Sequence, residues 1–471
     1  MQPCISVSLI SALFFIVANT SALCGSRIEV SQDGKYKSIK EALEKADNGD
    51  TILVSKGSYR EKLLINKQVS IYGKDRPNIR GDENGSVIIV TVPNVTIAGF
   101  NISGTGESLN NEDTGILLEN ASGSRIQDNV LSDVLFGIYL KNSPDSIVEG
   151  NTVTGKDLMM PERGDGIRLW YSSATSIRNN HLIKTRDLVM WWSGNTLIEN
   201  NIVEDGRYGL HYMYSDNNIF RNNTFRRNLV GGFLMYSKNI RFENNTFIQN
   251  QGIASGYGVG FKDLDSVVAK GNRFIDNRVG IYMDNTPTSY DVWNTIQDNN
   301  IDFNDIGISL MPSIERNTIT GNNFIDNTEQ VEVRGGGTLK GNRWFDNGNG
   351  NYWSDYQGYD DNKDGIGDYP YVAQSLFEDM MDRDSVLRIF LHSPVTQALD
   401  TASKAFPVFR PEPKLTDRYP LILPVKIDAE AGKSSTNLLD LVIYIILVLL
   451  PLLLLKTILM SFKRELIDRN N

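Results

Sequence analysis

Two neighbouring segments of the chain repeat a pattern of residues that can bind a soft metal ion. Residues 209–215 read GLHYMYS, and residues 231–237, twenty-two positions later, read GGFLMYS. His211, one of three histidines in the chain, stands two residues before Met213. Imidazole and thioether groups are ligands that suit Cu(I). The types and spacing of His211, Met213 and Met235 therefore predict copper handling, provided that the three side chains share one surface.

A second group of candidate ligands lies in the segment YDDNKDGIGDYPY. Asp360, Asn362, Asp364 and Asp368 take positions 1, 3, 5 and 9 of a calcium-type loop, with a glycine at position 6. Position 12 of such loops is a glutamate, but here it is a tyrosine. The pattern predicts either a Ca²⁺ site or an acidic turn that closes the last repeat.

Asparagine pairs recur through the chain and define a repeat. Between Asn180 and Asn245 the steps are 21, 22 and 22 residues. A period in the low twenties, with short apolar segments and asparagine-rich corners, is typical of an all-β, right-handed parallel β-helix with one coil per repeat. Leucine-rich repeats share the period, but their Leu-x-x-Leu-x-Leu frame does not occur. We expect the stacked asparagines to form amide ladders.

Alternation along each strand predicts which side chains face the core. Aligning the coils on their asparagines puts Leu210 and Tyr212 in apolar columns, so these residues are expected to face inward. The opposite parity places His211 and Met213 on the outer face, with Met235 on the next coil about 4.8 Å away. The three candidate copper ligands are thus predicted to share an exposed sheet surface.

The same outward columns carry three large aromatic residues, Trp170, Trp191 and Phe233. Such a stripe has three interpretations: it is covered by a loop, the C-terminal tail or a partner protein; it contributes to a metal site; or it has no special role. We assign these residues to a partner or cargo surface. The remaining histidines, His181 at a coil corner and His392 in the tail, are expected to be structural.

Both ends of the chain carry segments outside the repeats. Residues 1–24 resemble a secretory signal peptide. The apolar run at 438–460, followed by Lys463 and Arg464, predicts a transmembrane helix with a cytoplasmic C-terminus and an ectodomain that is periplasmic or extracellular. The predicted organisation is a signal peptide (1–24), an N-terminal cap with the first coils (25–100), a parallel β-helix (101–372), a helical and Pro-rich tail (373–430), the transmembrane helix (438–460) and a cytoplasmic tail (461–471).

Composition narrows the possible partners and ligands. The net charge of −10 and the isoelectric point near 5.1 argue against a nucleic-acid partner, which requires clustered Lys and Arg. The two cysteines, Cys4 and Cys24, fall in the predicted signal peptide. The mature domain therefore has no internal disulfide and no thiolate metal site. Any metal must be held by His, Met or oxygen ligands.

An enzymatic alternative follows from the predicted fold. Parallel β-helices include polysaccharide lyases and hydrolases, and glycoside hydrolases use paired carboxylates. Asp165 and Asp187 fall on adjacent coils and could form such a pair. However, the chain has no polygalacturonase-type series NTD, DD, GHG and RIK, and fold alone does not establish function. A surface polysaccharide-binding or -degrading β-helix protein is therefore the alternative function.

Several motifs resemble one family, the NosD proteins of nitrous oxide reductase maturation. They occur in this order: GDGIRLWYS, RYGLHYMYSDNN, GGFLMYSKNI, GYGVGFKDLDS, VGIYMDNTP and GNYWSDYQGYDDNKDGIGDYPY. The resemblance runs from about residue 28 to 422. It implies a non-enzymatic role outside the cytoplasmic membrane in assembling the copper–sulfide centre of nitrous oxide reductase, together with an ABC-type permease and its cytoplasmic ATPase. The predicted membrane helix departs from typical members, which are soluble in the periplasm.

Overall fold

The structure, a computed structural model, describes residues 25–253, 255–390, 393–406 and 411–427. These residues form a right-handed parallel β-solenoid of about 13 turns, so the predicted all-β fold is confirmed. The predicted signal peptide (1–24) and membrane helix (438–460) lie outside the described residues. Within the described ranges, no helix has the length and apolar character needed to cross a membrane.

Each coil contributes strands to three parallel β-sheet faces. We number these faces 1, 2 and 3 in the order in which their strands occur along a coil. Face 1 comprises Leu63–Ile65, Ile88–Val90, Thr114–Glu119, Phe136–Lys141, Ile167–Trp170, Asp187–Trp191, Tyr208–Met213, Val230–Glu243, Tyr257–Lys270, Val279–Asp284, Ile306–Leu310 and Glu329–Val333. Face 2 comprises Arg27–Val30, Thr51–Val54, Ser70–Gly73, Thr96–Ala98, Arg125–Gln127, Ile147–Glu149, Ser176–Arg178, Leu197–Glu199, Ile219–Arg221, Asn294–Gln297 and Asn317–Thr320, together with the second halves of the two long strands Val230–Glu243 and Tyr257–Lys270. Face 3 comprises Ser58–Arg60, Asn78–Arg80, Asn101–Ser103, Val130–Val134, Thr152–Gly155, His181–Ile183, Ile202–Glu204, Thr224–Arg226, Thr246–Ile248, Arg273–Ile275, Asn300–Asp302, Asn323–Ile325 and Tyr352–Trp353.

Short helices flank the solenoid. Helix α1 (Ile39–Lys45) follows the first strand, and the hydroxyl of Ser38 caps it by accepting a hydrogen bond from the backbone N–H of Glu41 at 3.0 Å. Its apolar side, including Ile39 and Leu43, joins the core. The C-terminal tail contains α2 (Leu376–Arg383) and α3 (Pro394–Ala405), and its other short elements are the 3₁₀ turn Ser385–Phe390 and the antiparallel pair Tyr371–Ala373 and Leu415–Asp417. A further 3₁₀ turn, Met160–Glu162, lies in the loop before Ile167–Trp170.

The core of face 1 has the predicted parity. Leu210 and Tyr212 are 0% exposed, and their counterparts Leu188 and Met190 on the preceding coil are also 0% exposed. The buried phenol oxygen of Tyr212 has a hydrogen-bond partner in the core, since it accepts a hydrogen bond from the Asn218 amide at 2.7 Å. Because alternate residues point to opposite sides of a strand, His211 and Met213 face away from this core.

The corner asparagines form the predicted ladder, which sets the spacing of the coils. The Asn201 side-chain N–H donates to Asn223 Oδ1 at 3.0 Å and to the carbonyl of Ile177 at 2.9 Å. Asn200, the first member of its pair, takes the left-handed backbone conformation (φ 56°) that turns the corner. The ladder contains Asn129, Asn151, Asn180, Asn201, Asn223, Asn245, Asn272, Asn299, Asn322 and Asn351. A second ladder contains Asn228, Asn250, Asn277, Asn304 and Asn327.

The tail closes the C-terminal end of the solenoid through polar contacts. Trp353 is 1% exposed and donates its indole N–H to Asp417 at 3.0 Å. Lys414 is also buried, and its ammonium group lies close to three carboxylates that we call the Lys414 cluster. The distances from Lys414 Nζ are 2.6 Å to Glu329, 2.9 Å to Asp382 and 3.1 Å to Glu378. Because Glu329 belongs to the last strand of face 1, the cluster fastens α2 to the β-helix.

Candidate metal site and aromatic surface on face 1

The register of face 1 brings the three predicted copper ligands into two adjacent outward columns. Met213 pairs with Met235 on the following coil and with Trp191 on the preceding coil. His211 pairs with Val189 and Phe233 in the neighbouring column. The His211 side chain is 16% exposed and Val189 only 1%, so this part of the outer surface is more covered than expected.

A buried carboxylate orients the imidazole of His211. Asp187 Oδ2 lies 3.1 Å from His211 Nδ1, and Asp187 Oδ1 accepts the backbone N–H of Tyr208 at 3.1 Å. The Arg207 guanidinium donates to the same carboxylate at 3.0 and 2.5 Å. Column alignment predicts Asp187 opposite Gly209, but a one-residue shift in the register pairs it with Tyr208 instead.

The charge state of Asp187 determines which nitrogen of His211 is available. Burial of Asp187 opposes its ionisation, but hydrogen bonds from His211 and Arg207 hold the pKa of this carboxyl below its usual value. An ionised carboxylate only accepts hydrogen bonds, so His211 Nδ1 carries the proton. In the neutral imidazole, Nε2 then keeps its lone pair. This arrangement is typical of histidines that bind metals, whose second nitrogen donates to a carboxylate.

The second carboxylate of the enzymatic alternative has its own arginine partner. Asp165 Oδ1 accepts a hydrogen bond from Arg186 Nε at 3.0 Å, and burial raises the pKa of Asp165 although Arg186 acts against the shift. Asp187 is likewise paired with Arg207. The structure therefore uses both carboxylates in buried ion pairs. Among the described residues, no three His, Cys, Asp or Glu side chains lie close enough together to hold a metal ion.

Trp170 and Trp191 lie beside an enclosed arginine. The Arg168 guanidinium is 5.6 Å from the ring centre of Trp170, 5.4 Å from that of Trp191 and 5.0 Å from that of Tyr139. It also forms an ion pair with Glu112 at 3.0 Å. Trp191 packs edge-on against the His211 ring, with ring centres 5.1 Å apart. These indoles are therefore fixed next to the candidate copper ligands.

Phe233 lies in a small apolar cluster on the outer surface of face 1. Its ring centre is 6.0 Å from that of Tyr257 and 6.4 Å from that of Tyr282. The following coil accommodates the ring only because residue 260 is glycine, since a Cβ there would lie 2.4 Å from the phenyl ring. Phe233 is thus half-buried and extends the aromatic surface towards later coils.

Sequence reasoning missed an aromatic stack at the end of the same strands. Tyr171, Trp192, Tyr214 and Tyr236 lie one above another, and we call them the aromatic ladder. Successive ring centres are 5.2, 5.3 and 5.1 Å apart, with interplanar angles of 10°, 14° and 14°. Tyr171, Tyr214 and Tyr236 are exposed (50%, 44% and 42%), whereas Trp192 is half-buried.

The ladder occupies backbone positions that disfavour aromatic residues. Its members have φ between 48° and 54°, where side chains other than Asn and Asp cost about 1 kcal/mol. Flanking coils place Asn142 and Asp263 in equivalent left-handed positions. Four successive aromatic residues in strained positions, three of them exposed, indicate a functional surface. The available signal in the sequence was an aromatic residue before serine at four successive strand ends.

The remaining candidate ligands lie away from face 1. In the acidic loop, Asp360 Oδ2 accepts the backbone N–H of Gly365 at 2.9 Å and Asp364 Oδ1 accepts that of Ile366 at 2.8 Å. Asn362 Oδ1 accepts from the backbone N–H of residue 364 at 2.9 Å, and Asp368 Oδ2 from that of residue 361 at 2.8 Å. The calcium site stays a prediction. His181 on face 3 contacts Glu204 at 2.7 Å, and His392 lies outside the described residues.

Comparison with known proteins adds sequence relatives and a structural neighbour. The family described as "Periplasmic copper-binding protein (NosD)" matches residues 150–358, and the family "Right handed beta helix region" matches residues 47–185. A Pseudomonas aeruginosa protein named "Probable ABC transporter binding protein NosD" is 30% identical over 390 residues, covering 80% of this chain and 89% of that protein. Its Stutzerimonas stutzeri namesake is 29% identical over 380 residues, covering 78% and 85%. The crystal structure of the Dettilon tailspike protein is similar in fold alone, with a TM-score of 0.54 at 16% identity over 68% of this chain and 70% of that one.

Fold and site together define a right-handed parallel β-helix that displays an oriented imidazole, two thioethers and an aromatic ladder on one face. The identity to the Pseudomonas protein extends over most of both chains. The chain belongs to the NosD family.

Proposed function

We propose that this NosD-family protein is a non-enzymatic accessory factor in the assembly of the copper–sulfide centre of nitrous oxide reductase, and that it binds Cu(I) as cargo on face 1. The observation that carries the proposal is the imidazole of His211, oriented by Asp187 next to the paired thioethers of Met213 and Met235. The description of the family as periplasmic copper-binding supports the same cargo.

The chemistry of these residues fits a soft cation. His211 would bind through Nε2, because Nδ1 is engaged with Asp187. Residues two apart on a strand lie about 6.6 Å from each other on the same side, and adjacent coils are about 4.8 Å apart, so one imidazole and two flexible thioethers can reach a common ion. The Trp191 indole packs against the imidazole and helps to hold it in place. The ionised carboxylate behind His211 increases the basicity of the imidazole.

The aromatic ladder and its neighbours supply a surface for cargo transfer. Trp170 and Trp191 lie beside the ladder, and Phe233 extends the patch along face 1. Two ion pairs flank this apolar area, Glu119–Lys141 on earlier coils and Lys262–Asp284 on later coils. A patch rich in Tyr and Trp with a charged rim has the composition of a protein-binding surface. We therefore propose that a copper-donating or copper-accepting protein docks here.

The proposed partners are inferred from the names of the relatives and from the C-terminal segments of the chain. The name "ABC transporter binding protein" of both relatives supports an ABC-type permease with a cytoplasmic ATPase as a partner, met by the tail at 374–422. The predicted helix at 438–460 would anchor the β-helix beside that permease, with the ectodomain outside the membrane. Nitrous oxide reductase would receive the cargo.

Simultaneous change of His211, Met213 and Met235 to alanine is expected to weaken Cu(I) binding at least 100-fold, because the three proposed ligands are lost together. Competition with a chromogenic Cu(I) chelator on the detergent-solubilised full-length protein measures this affinity. The matched control changes another histidine and two exposed methionines, through His181→Ala, Met159→Ala and Met380→Ala. Equal affinity of the site variant and the control would show that the site is wrong.

Complementation of a deletion strain separates docking from metal binding. The wild-type gene is expected to restore copper-loaded nitrous oxide reductase. A Trp192→Ser, Tyr214→Ser variant is expected to bind Cu(I) normally but to restore less than a tenth of the reductase activity, because aromatic hot spots are lost from the interface. Exposed tyrosines outside the ladder, changed as Tyr290→Ser and Tyr359→Ser, serve as the control.

Two outcomes of this complementation contradict different parts of the proposal. Fully copper-loaded reductase in the uncomplemented deletion strain would rule out the accessory function itself. Full restoration by the ladder variant would instead rule out the ladder as the docking surface, while leaving the copper site to be judged by its affinity.

A further inference from the structure

A second site, unrelated to the copper candidates, lies where α2 and the following 3₁₀ turn pack against the last coils. There the structure forms a partly open cavity of about 520 Å³. Four arginines line it, two from the solenoid and two from the tail, namely Arg278, Arg334, Arg383 and Arg388. The volume falls in the range of small-molecule sites. These four guanidinium groups concentrate positive charge around one cavity.

The two solenoid arginines lack close carboxylate partners. Arg278 donates to the backbone carbonyl of Ile253 and forms no ion pair with any carboxylate of the described residues. The guanidinium of Arg334 lies 5.0 Å from the ring centre of Tyr282, and its nearest carboxylate contact, with Glu332, is at the long distance of 4.0 Å. Both arginines therefore bring positive charge into the cavity wall that no close partner neutralises.

The two tail arginines have structural partners. Arg388 Nη2 donates to Glu329 at 2.7 Å and to Glu332 at 2.8 Å, which fixes the 3₁₀ turn to the last strand of face 1. Arg383 forms a two-pronged ion pair with Asp379 on α2, with both distances at 3.1 Å. These two side chains shape the cavity, whereas Arg278 and Arg334 have no close carboxylate partner among the described residues.

Three acidic residues also line the wall, Asp305, Glu332 and Asp382. Burial raises the pKa of Asp382 to about 8 and also raises that of Asp305, although nearby cations oppose both shifts. Asp382 is 1% exposed, and its Oδ1 has no hydrogen-bond partner in the described chain. Asp382 is held by the ammonium group of Lys414 at 2.9 Å. Glu332, the third acid, is already held by Arg388.

The rest of the wall favours a compact ligand. Val279, Ile306 and Met381 contribute apolar surface on the solenoid and α2 sides. The loop beside them approaches α2 closely at Gly336, where φ is 78° and a Cβ would lie 3.0 Å from the Arg383 side chain. Glycine at this position therefore allows the loop to lie close to α2 beside the cavity.

We propose that this cavity binds a small multivalent oxyanion, held by the guanidinium groups of Arg278 and Arg334. Planar guanidinium groups match the oxygens of phosphate-like anions in paired hydrogen bonds. The ligand contacts both the last coils and α2, so its binding strengthens the attachment of the tail. This role is independent of copper binding on face 1.

Calorimetric titration of the full-length protein with inorganic phosphate, sulfate and thiosulfate tests the proposal, with chloride added to hold the ionic strength constant. At least one anion is expected to bind with one-to-one stoichiometry and a millimolar or lower Kd. Combined Arg278→Gln and Arg334→Gln changes are expected to weaken that binding at least 10-fold. Arg278→Lys, which keeps the charge but not the planar fork, is expected to retain part of the affinity.

The control and a second measurement guard against a folding artefact. Arg241→Gln removes an exposed arginine of the outer surface that lies outside the cavity, and it is expected to leave anion affinity unchanged. The bound anion should also raise the Tm of the wild type but not of the double variant. Absence of saturable binding by all three anions, or equal affinity in the double variant and the control, would overturn the proposal.

Discussion

Replacing Lys414 with methionine is expected to lower the free energy of unfolding by about 3–5 kcal/mol. The ammonium group is 4% exposed and lies within 3.1 Å of carboxylate oxygens of Glu329, Asp382 and Glu378. These buried acids have little access to water, so loss of the lysine leaves them uncompensated. Removal of one partner from a buried ionic cluster is costly for this reason.

The pKa shifts within the Lys414 cluster indicate how strongly its members depend on one another. Burial disfavours the charged lysine, yet the surrounding carboxylates raise the pKa of Lys414 above its ordinary value. Burial raises the pKa of Glu378 and of Asp382, against the effect of Lys414. Without the lysine, these acids would have to take up protons or expose themselves by releasing α2 from the last coil.

Lys340 provides the matched control for this prediction. It pairs with Glu412 at 3.1 Å, but both side chains are more than 70% exposed, at 74% and 73%. An exposed pair of this kind contributes about 0–1 kcal/mol, so Lys340→Met is expected to have little effect. Urea unfolding measures both variants, and limited proteolysis between residues 374 and 406 reports release of the tail. A loss below about 1 kcal/mol for Lys414→Met, with an intact tail, would contradict the prediction.

Replacing Asp187 with asparagine is expected to lower Cu(I) affinity 10- to 100-fold, the usual effect of losing the carboxylate behind a metal-binding histidine. An amide can accept a hydrogen bond from His211, but it carries no charge to increase the basicity of the imidazole. It also leaves Arg207 without its carboxylate, which is expected to cost about 1–3 kcal/mol of stability. Chelator competition and urea unfolding measure the two effects separately.

Asp165→Asn is the control that separates stability from metal binding. Asp165 is buried like Asp187 and also pairs with an arginine, Arg186, at 3.0 Å. Among the described residues it contacts neither His181 nor His211, so its replacement is expected to reduce stability without changing Cu(I) affinity. If both variants bound Cu(I) equally well, the proposed role of Asp187 as the residue that positions His211 would be wrong.

The sequence predicted which residues of face 1 point into the core and which point outward. It did not predict which residues of the neighbouring coils they contact. Alternation placed Leu210 and Tyr212 in the core and His211 and Met213 outside, because strand geometry makes this choice locally. The contact between Asp187 and His211 joins two coils at the point where the register shifts by one residue. No periodic pattern within a single strand contains that information.

The aromatic ladder and the arginine-lined cavity illustrate the same limit. The ladder depends on left-handed backbone at four strand ends, which sequence suggests for Asn142 but not for Tyr171 or Trp192. The cavity joins Arg278 with tail residues more than a hundred positions away, through the fold of α2 onto the last coil. Candidate sites made from one segment are predictable, and sites made between segments require the three-dimensional structure.

The sequence by itself determined the coil period, the corner asparagines and the parity of each strand, since these depend on local backbone geometry and on burying apolar side chains. Tertiary structure decided that Asp187 holds His211, that Asp165 and Asp187 are bound to arginines, and that four aromatic rings stack along the surface. These features depend on the relative position of neighbouring coils. That position is set by the hydrogen bonds of the asparagine ladders and by shifts of register between coils. These effects accumulate along the whole solenoid, so no single repeat determines them.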